Sequence, residues 1–191
     1  MNRTVCFIGL VLLGYGSIYA QEKYEREYRI STNEVPPIAL KFVMDVGFSK
    51  TIKWYREQGL ETTTIEAKTR HKGSIYSLEF TKEGVLEDIE YIVKWKDMPS
   101  EARSRIKVFL EMEHDKTKLQ KIQQQYTGDA IELKELMMGA KPPSVATIRY
   151  EIVVKAKTKG IYETIEYLFS DEGIMERKSI IVEKNTDNLE F

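Results

Sequence analysis

Glu79-Phe80-Thr81-Lys82-Glu83-Gly84-Val85-Leu86-Glu87 returns, degenerate but recognisable, as Leu168-Phe169-Ser170-Asp171-Glu172-Gly173-Ile174-Met175-Glu176. Each stretch ends a run on an aromatic residue, passes through Thr or Ser, an acid and Gly, and resumes with two apolar residues. This is hairpin chemistry. Gly supplies the positive φ that a tight turn needs, and the polar side chains satisfy backbone groups the turn leaves open. The pair predicts one small unit used twice, hence two tandem modules.

Working outward from the first copy, Ser74 to Thr81 and Val85 to Lys94 read as strands joined by that hairpin. Thr62 to Arg70, rich in β-branched residues, and the alternating stretch around Ile52, Trp54 and Arg56 supply two more. Val35-Pro36-Pro37 opens a helix with an apolar stripe at Ile38, Leu40, Phe42, Val43 and Val46, ending at Gly47. The second copy begins at Met98-Pro99-Ser100, with Ala102, Ile106, Phe109, Leu110 and Met112 at helical spacing. Strands follow at Lys118 to Tyr126, Ala146 to Lys157, Ile161 to Ser170 and Ile174 to Glu183. Pro36 to Gly84 spans 48 positions and Pro99 to Gly173 spans 74, so the second copy carries 74 − 48 = 26 extra. Most of these lie between Gly128 and Ser144 (the insertion 128–144), where Ala130 to Met138 has helical periodicity and stops at Gly139 and Pro142-Pro143.

The predicted fold is therefore α+β: two tandem modules, 34–96 and 97–184, each one N-terminal helix packed on a four-stranded antiparallel sheet. A charged leader, 21–33, with Tyr24 and Tyr28 precedes them, and a tail, 185–191, follows. One helix covers only one face of such a sheet. Strand parity separates the faces: Tyr76, Leu78 and Phe80, like Ile165, Tyr167 and Phe169, belong to the core. The insertion helix, with Leu133, Leu136, Met137 and Met138, reads as a lid over the second sheet.

Residues 1–20 read as a signal peptide. Arg3 is followed by an apolar run from Val5 to Leu13, too short to span a bilayer, and then by small residues up to Ala20. Removing it takes Lys+Arg from 29 to 28 against 30 Asp+Glu, a net charge of −2, and removes the one cysteine, Cys6. An exported chain with no disulfide must rest on its apolar core, and about 170 residues can bury roughly 70% of their unfolded surface. No membrane span is expected after cleavage. With no basic stripe in a finely mixed charge pattern, no nucleic acid is expected either.

The chain resembles the PepSY-like periplasmic proteins of Bacteroidota, which share their fold with the secreted beta-lactamase inhibitory protein. The residues that carry this are Val35-Pro36, Phe42, Phe48, Trp54 and the Phe80 to Gly84 hairpin, then Met98-Pro99, Ile106, Phe109, Ile122 and Phe169 to Gly173. The resemblance implies a periplasmic or secreted protein with a sheet surface available to a partner, and no catalytic motif. The insertion, and the lack of a second Trp matching Trp54, depart from that pattern.

No phosphate-binding Gly-rich loop, Ser-centred elbow or paired-cysteine motif occurs. His71 and His114 fall in charged turns without convergent partners. Glu111, Glu113, His114 and Asp115 crowd a helix end without calcium-loop spacing. Neighbours such as Glu87 and Asp88 point to opposite faces of a strand. The reading is that the protein is not an enzyme and uses no cofactor or metal. It predicts an exported binding protein that presents sheet surface to a protein or peptide partner, such as an envelope enzyme it inhibits or chaperones. The partner-binding candidates are Tyr55, Ile75, Ile92, Tyr162 and Leu168, which fall opposite the core face of their strands. The alternative is a periplasmic small-molecule or metal carrier using a cleft between the modules.

Overall fold

The computed structural model describes residues 21–23, 26–48, 50–59, 62–140 and 146–182; the predicted signal peptide and tail lie outside the described residues. The strands are β1 (Gln21–Lys23), β2 (Arg26–Ile30), β3 (Lys53–Gln58), β4 (Thr63–His71), β5 (Ser74–Thr81), β6 (Leu86–Ile92), β7 (Lys116–Thr127), β8 (Thr147–Thr158), β9 (Ile161–Ser170) and β10 (Met175–Ile181). The helices are α1 (Pro37–Val46), α2 (Ser100–Glu113) and α3 (Ala130–Met138). Local signals account for their ends. α1 starts on Pro37, whose fixed φ suits a first turn, and stops at Gly47 with φ 69°. α3 is capped by the Asp129 carboxylate, which accepts from the backbone of Ile131 and Glu132, and stops at Gly139 with φ 112°.

The two predicted helix-on-four-strand modules do not form. β2 to β10 make a single antiparallel sheet in the order β10-β9-β8-β7-β6-β5-β4-β3-β2, with β1 added parallel to β10. β6 and β7, which would be free edges of separate modules, pair from Ile89↔Tyr126 to Ile92↔Gln123. Separate sheets would leave unpaired N–H and C=O groups along both edges, and merging satisfies them. It also fills the place where a cleft between modules was expected.

The sheet also curls. Three peptide steps link Lys23 to Arg26, so their Cα atoms lie within about 11 Å. Ten flat strands spaced about 4.8 Å apart would hold β1 and β2 roughly 43 Å from each other. Since β1 pairs with β10 and β2 pairs with β3, the two edges approach and the N-terminal segment bridges them. Nine strands around the curl are an odd number, which is why the closing contact is parallel.

All three helices lie on one face. α1 and α3 cover a cluster with Trp54, Ala67, Leu78, Phe80, Ile89 and Tyr126, to which they contribute Ala39, Val43, Leu133 and Met137. α2 lays Ile106 and Leu110 on Ile122, Tyr150, Ile152, Ile165, Tyr167 and Phe169. The parity reading of the core holds: Leu78, Phe80, Ile165, Tyr167 and Phe169 have no exposed surface. The insertion helix departs from its expected place over the second half of the strands. Leu133 and Met137 join the cluster beneath α1, and Lys134 pairs with Asp45 at 3.2 Å. The Met137 carbonyl near the C-terminus of α3 also lies 3.1 Å from His71 Nε2 and accepts from Lys72 Nζ at 3.2 Å.

Candidate functional site

The face without helices is the candidate site, and its middle is unexpectedly polar and buried. Glu66, Ser77, Glu90, Gln123, Glu151, Glu166 and Ser179 all fall there by strand parity, and each is buried. No helix among the described residues packs on this side, so the curl itself turns the side chains inward.

The acids are arranged in two groups. On β2, β3 and β4, Glu27, Glu57 and Glu66 bring one carboxylate oxygen each within 4.8 Å of one another. Lys68 serves this group, with Nζ 2.7 Å from Glu27 and 2.9 Å from Glu66, and the Ser77 hydroxyl donates to Glu66. Burial opposes the charge on Lys68, but Glu27 and Glu66 outweigh it and hold its pKa above the ordinary lysine value. On β5 and β6, Glu79, Asp88 and Glu90 form a second group, again with one carboxylate oxygen each within 4.8 Å of one another. Here amides replace the lysine: Gln125 Nε2 donates to Asp88 at 3.1 Å and Glu90 at 3.3 Å, and Gln123 Nε2 to Glu90 at 2.5 Å. Burial pushes the Glu79 carboxyl well above its ordinary range, with Asp88 and Glu90 adding to the effect. Burial, reinforced by Glu151 and Glu87 and opposed by the Gln125 hydrogen bond, pushes Asp88 up to about 7.

The sequence reading missed these acids as a unit because it set Asp88 against Glu87, its neighbour on the opposite face. The informative spacing was Asp88 with Glu90, two apart on one strand, placed beside Glu79 by the repeated hairpin.

The five partner-binding candidates do share this face, but they are not equivalent. Ile75 follows from Tyr76↔Tyr91 to lie beside Ile92, and both are exposed at the same end of the curl. Tyr162, 56% exposed, lies opposite Lys157 at that end, with the ammonium groups of Lys155 and Lys157 at 6.0 and 5.5 Å from its ring centroid. Tyr55 is half-buried beneath Lys68 and Arg29. Leu168 is buried between Glu151 and Arg177, so it offers a partner little surface. The result is an acid-lined floor with an apolar and basic rim.

Both histidines have structural settings. His114, read from sequence as lying in a charged turn, is buried at the end of α2, 2.6 Å from Thr158 Oγ1 and 2.7 Å from the Tyr167 hydroxyl. Burial, with Lys178 adding, holds its pKa below the ordinary histidine value. Asp115 accepts from the Lys159 backbone at 2.9 Å. Residues 111–115 thus do not converge on one point. Among the described residues no helix is long and apolar enough to cross a membrane.

No protein-family model matches the sequence, and no curated protein matches it. Among solved structures, the crystal structure of a DUF2874 family protein from Bacteroides ovatus is similar, with a TM-score of 0.50 over 76% of this chain and 87% of that one. At 10% identity the likeness concerns the fold alone: this chain carries a fold also found in a DUF2874 family protein of Bacteroidota.

Proposed function

We propose that this is an exported, non-enzymatic binding protein, periplasmic or secreted, that receives a protein or peptide partner on the rim of its helix-free sheet face. The observation that carries the reading is the rim itself. Ile75 and Ile92 are exposed side by side, and Tyr162 is exposed farther along the same face beside Lys155 and Lys157, with Lys121 on the intervening β7. Amphipathic aromatic and aliphatic side chains ringed by flexible cations are the composition of a recognition surface. The basic rim favours an acidic segment of the partner, such as an exposed loop of an envelope enzyme that the protein inhibits or escorts. A PepSY-like origin belongs to this reading, and the like seating of Gly84 and Gly173 against helix starts supports a repeated ancestor.

The test is affinity capture from an envelope extract with the mature protein, and with Ile92→Asp and Tyr162→Asp. Both positions are exposed, so thermal stability should change little. Capture of a reproducible partner, lost in the two variants, supports the reading. Absence of any reproducible partner, or capture that ignores both changes, removes it.

A further inference from the structure

The β4–β5 and β8–β9 hairpins turn on the same pair of residues. Lys72-Gly73 and Lys159-Gly160 all have positive φ, 46° and 86° in the first and 50° and 89° in the second. The first tip is covered, since the Met137 carbonyl of α3 accepts from Lys72 Nζ at 3.2 Å and lies 3.1 Å from His71 Nε2. At the second tip α2 stops short, with His114 on Thr158. The residues directly after this turn stay out: Ile161 is 66% exposed and Tyr162 is exposed beside it.

Lysines surround this tip in an arrangement that opposes folding. In the β7–β8 register Lys116 lies opposite Lys157 and Lys118 opposite Lys155. Like charges placed directly across a ladder are destabilising. The other facing lysines of the inner face, Lys53 and Lys68, have Glu27 and Glu66 beside Lys68, and Lys121 has Glu151 at 3.4 Å. Among the described residues, no Asp or Glu forms an ion pair with Lys116, Lys118, Lys155 or Lys157. Glu163, opposite the buried Ala156, falls on the helix face, and Asp115 accepts from the Lys159 backbone N–H at 2.9 Å. Four cations without a carboxylate thus lie together beside Tyr162, whose ring centroid has Lys155 and Lys157 Nζ at 6.0 and 5.5 Å.

We infer that the β8–β9 tip and the start of β7 are where the protein lies on an anionic lipid surface. Lipid headgroups present negative charge as a plane, which meets both lysine pairs at once and removes the cost of facing them. A lysine close to such a surface strengthens binding about fivefold. The tip decides between a membrane and an acidic protein segment. An acidic segment would neutralise the lysines and leave Ile161 in water. A bilayer takes Ile161 at the acyl boundary and Tyr162 at the level of the headgroups, with Lys155 and Lys157 reaching past its ring to the phosphates. The inference goes beyond the partner proposed above and does not rest on it: the two share Tyr162 and part at Ile92, which lies away from this tip.

The experiment uses secreted protein from expression of the full chain, with vesicles of phosphatidylcholine alone or with about 30% phosphatidylglycerol, and reads the bound fraction by sedimentation. Binding should need phosphatidylglycerol and should weaken at least tenfold as salt rises from about 0.05 M to about 0.5 M. Lys155→Gln with Lys157→Gln should weaken it roughly 25-fold while holding or raising the unfolding midpoint, because both facing pairs are relieved. Lys82→Gln with Lys107→Gln removes the same charge from exposed sites elsewhere and should change binding less than twofold. Ile161→Ser, which keeps every lysine, should weaken binding severalfold. Ile92→Asp should leave vesicle binding nearly unchanged, so failure of partner capture and failure of lipid binding are told apart. Any one of three results overturns the inference: no preference for phosphatidylglycerol, equal losses in the two lysine pairs, or an Ile161→Ser variant that binds vesicles as wild type does. The last of these, with soluble polyglutamate also bound, would assign the lysines to an acidic protein segment.

Discussion

Gly173 lies so close to Ala102 that a β-carbon built on it would stand 2.6 Å from the Ala102 carbonyl oxygen and 2.9 Å from its Cα, both backbone atoms. Gly84 stands in the same relation to the start of α1, with Pro36 Cβ at 2.7 Å and the Ala39 nitrogen at 3.0 Å. Both glycines have positive φ, 93° at Gly84 and 82° at Gly173. Each repeated hairpin thus does more than turn the chain, since its glycine lets the first turn of a helix rest directly on the hairpin.

Replacing either glycine by alanine therefore imposes both backbone strain and a helix displacement. Gly173→Ala should cost roughly 2–4 kcal/mol, above the usual penalty for alanine at positive φ because the clash is with backbone. Gly160→Ala, also at positive φ but with nothing within 4 Å of its built Cβ, serves as the comparison and should cost about 1 kcal/mol. Denaturant unfolding checks this; equal losses at positions 160 and 173 would refute the role of the helix contact.

The hairpin residues show how far the sequence was legible. β5, α3 and β9 have the bounds their patterns predict, because their punctuation is local: Lys72-Gly73 and Gly84 around β5, Asp129 and Gly139 around α3, Gly160 and Gly173 near β9. Parity also placed Leu78, Phe80, Tyr167 and Phe169 in the core. What parity could not carry was the partner of an edge. The pairing of Ile89 with Tyr126 satisfies backbone groups that are identical in every residue, so no side chain announces it. Nor could it show that the second face curls. Alternation marks Glu66, Glu90 and Glu151 as solvated, whereas the curl buries all three.

His114 closes the end of α2 onto the strands through Thr158 and Tyr167. His114→Ala would leave the buried Tyr167 hydroxyl without that partner and open a small cavity, a loss of about 2–4 kcal/mol at pH 8. The depressed histidine pKa sets the sign with pH. The unfolded chain binds the proton more readily, so the contribution of the neutral ring is present above the unfolded value of 6.5 and is lost as pH falls through the lower folded value. Unfolding midpoints measured from pH 8 to 5 should therefore show the gap between wild type and His114→Ala narrowing toward acid. A gap that widens would refute it.

Asp129 holds the N-terminus of α3 by accepting from Ile131 and Glu132. Asp129→Ala should cost about 1 kcal/mol, while Asp129→Ser should recover most of it. Since Leu133 and Met137 of that helix seat in the core cluster beneath α1, the loss should appear in the single global unfolding transition. A separate early transition would show instead that the insertion unfolds independently.

Asp88 gives the opposite pH sign to His114. Its carboxyl is pushed from 3.8 to about 7 in the folded chain, so the fold binds the proton more tightly than the unfolded chain does. The ionised carboxylate therefore weakens the protein progressively as pH rises from about 4 to above 7. That rise sets a ceiling of roughly 4 kcal/mol, and because Glu79 shares the same field, removing one charge should recover on the order of 2 kcal/mol. Asp88→Asn, which keeps an acceptor for Gln125, should be more stable than wild type by that amount at pH 8 and nearly equal to it at pH 4. The check is chemical unfolding of both proteins at the two pH values. Equal stability at pH 8, or a gain that grows toward acid, would show that Asp88 does not carry a buried charge.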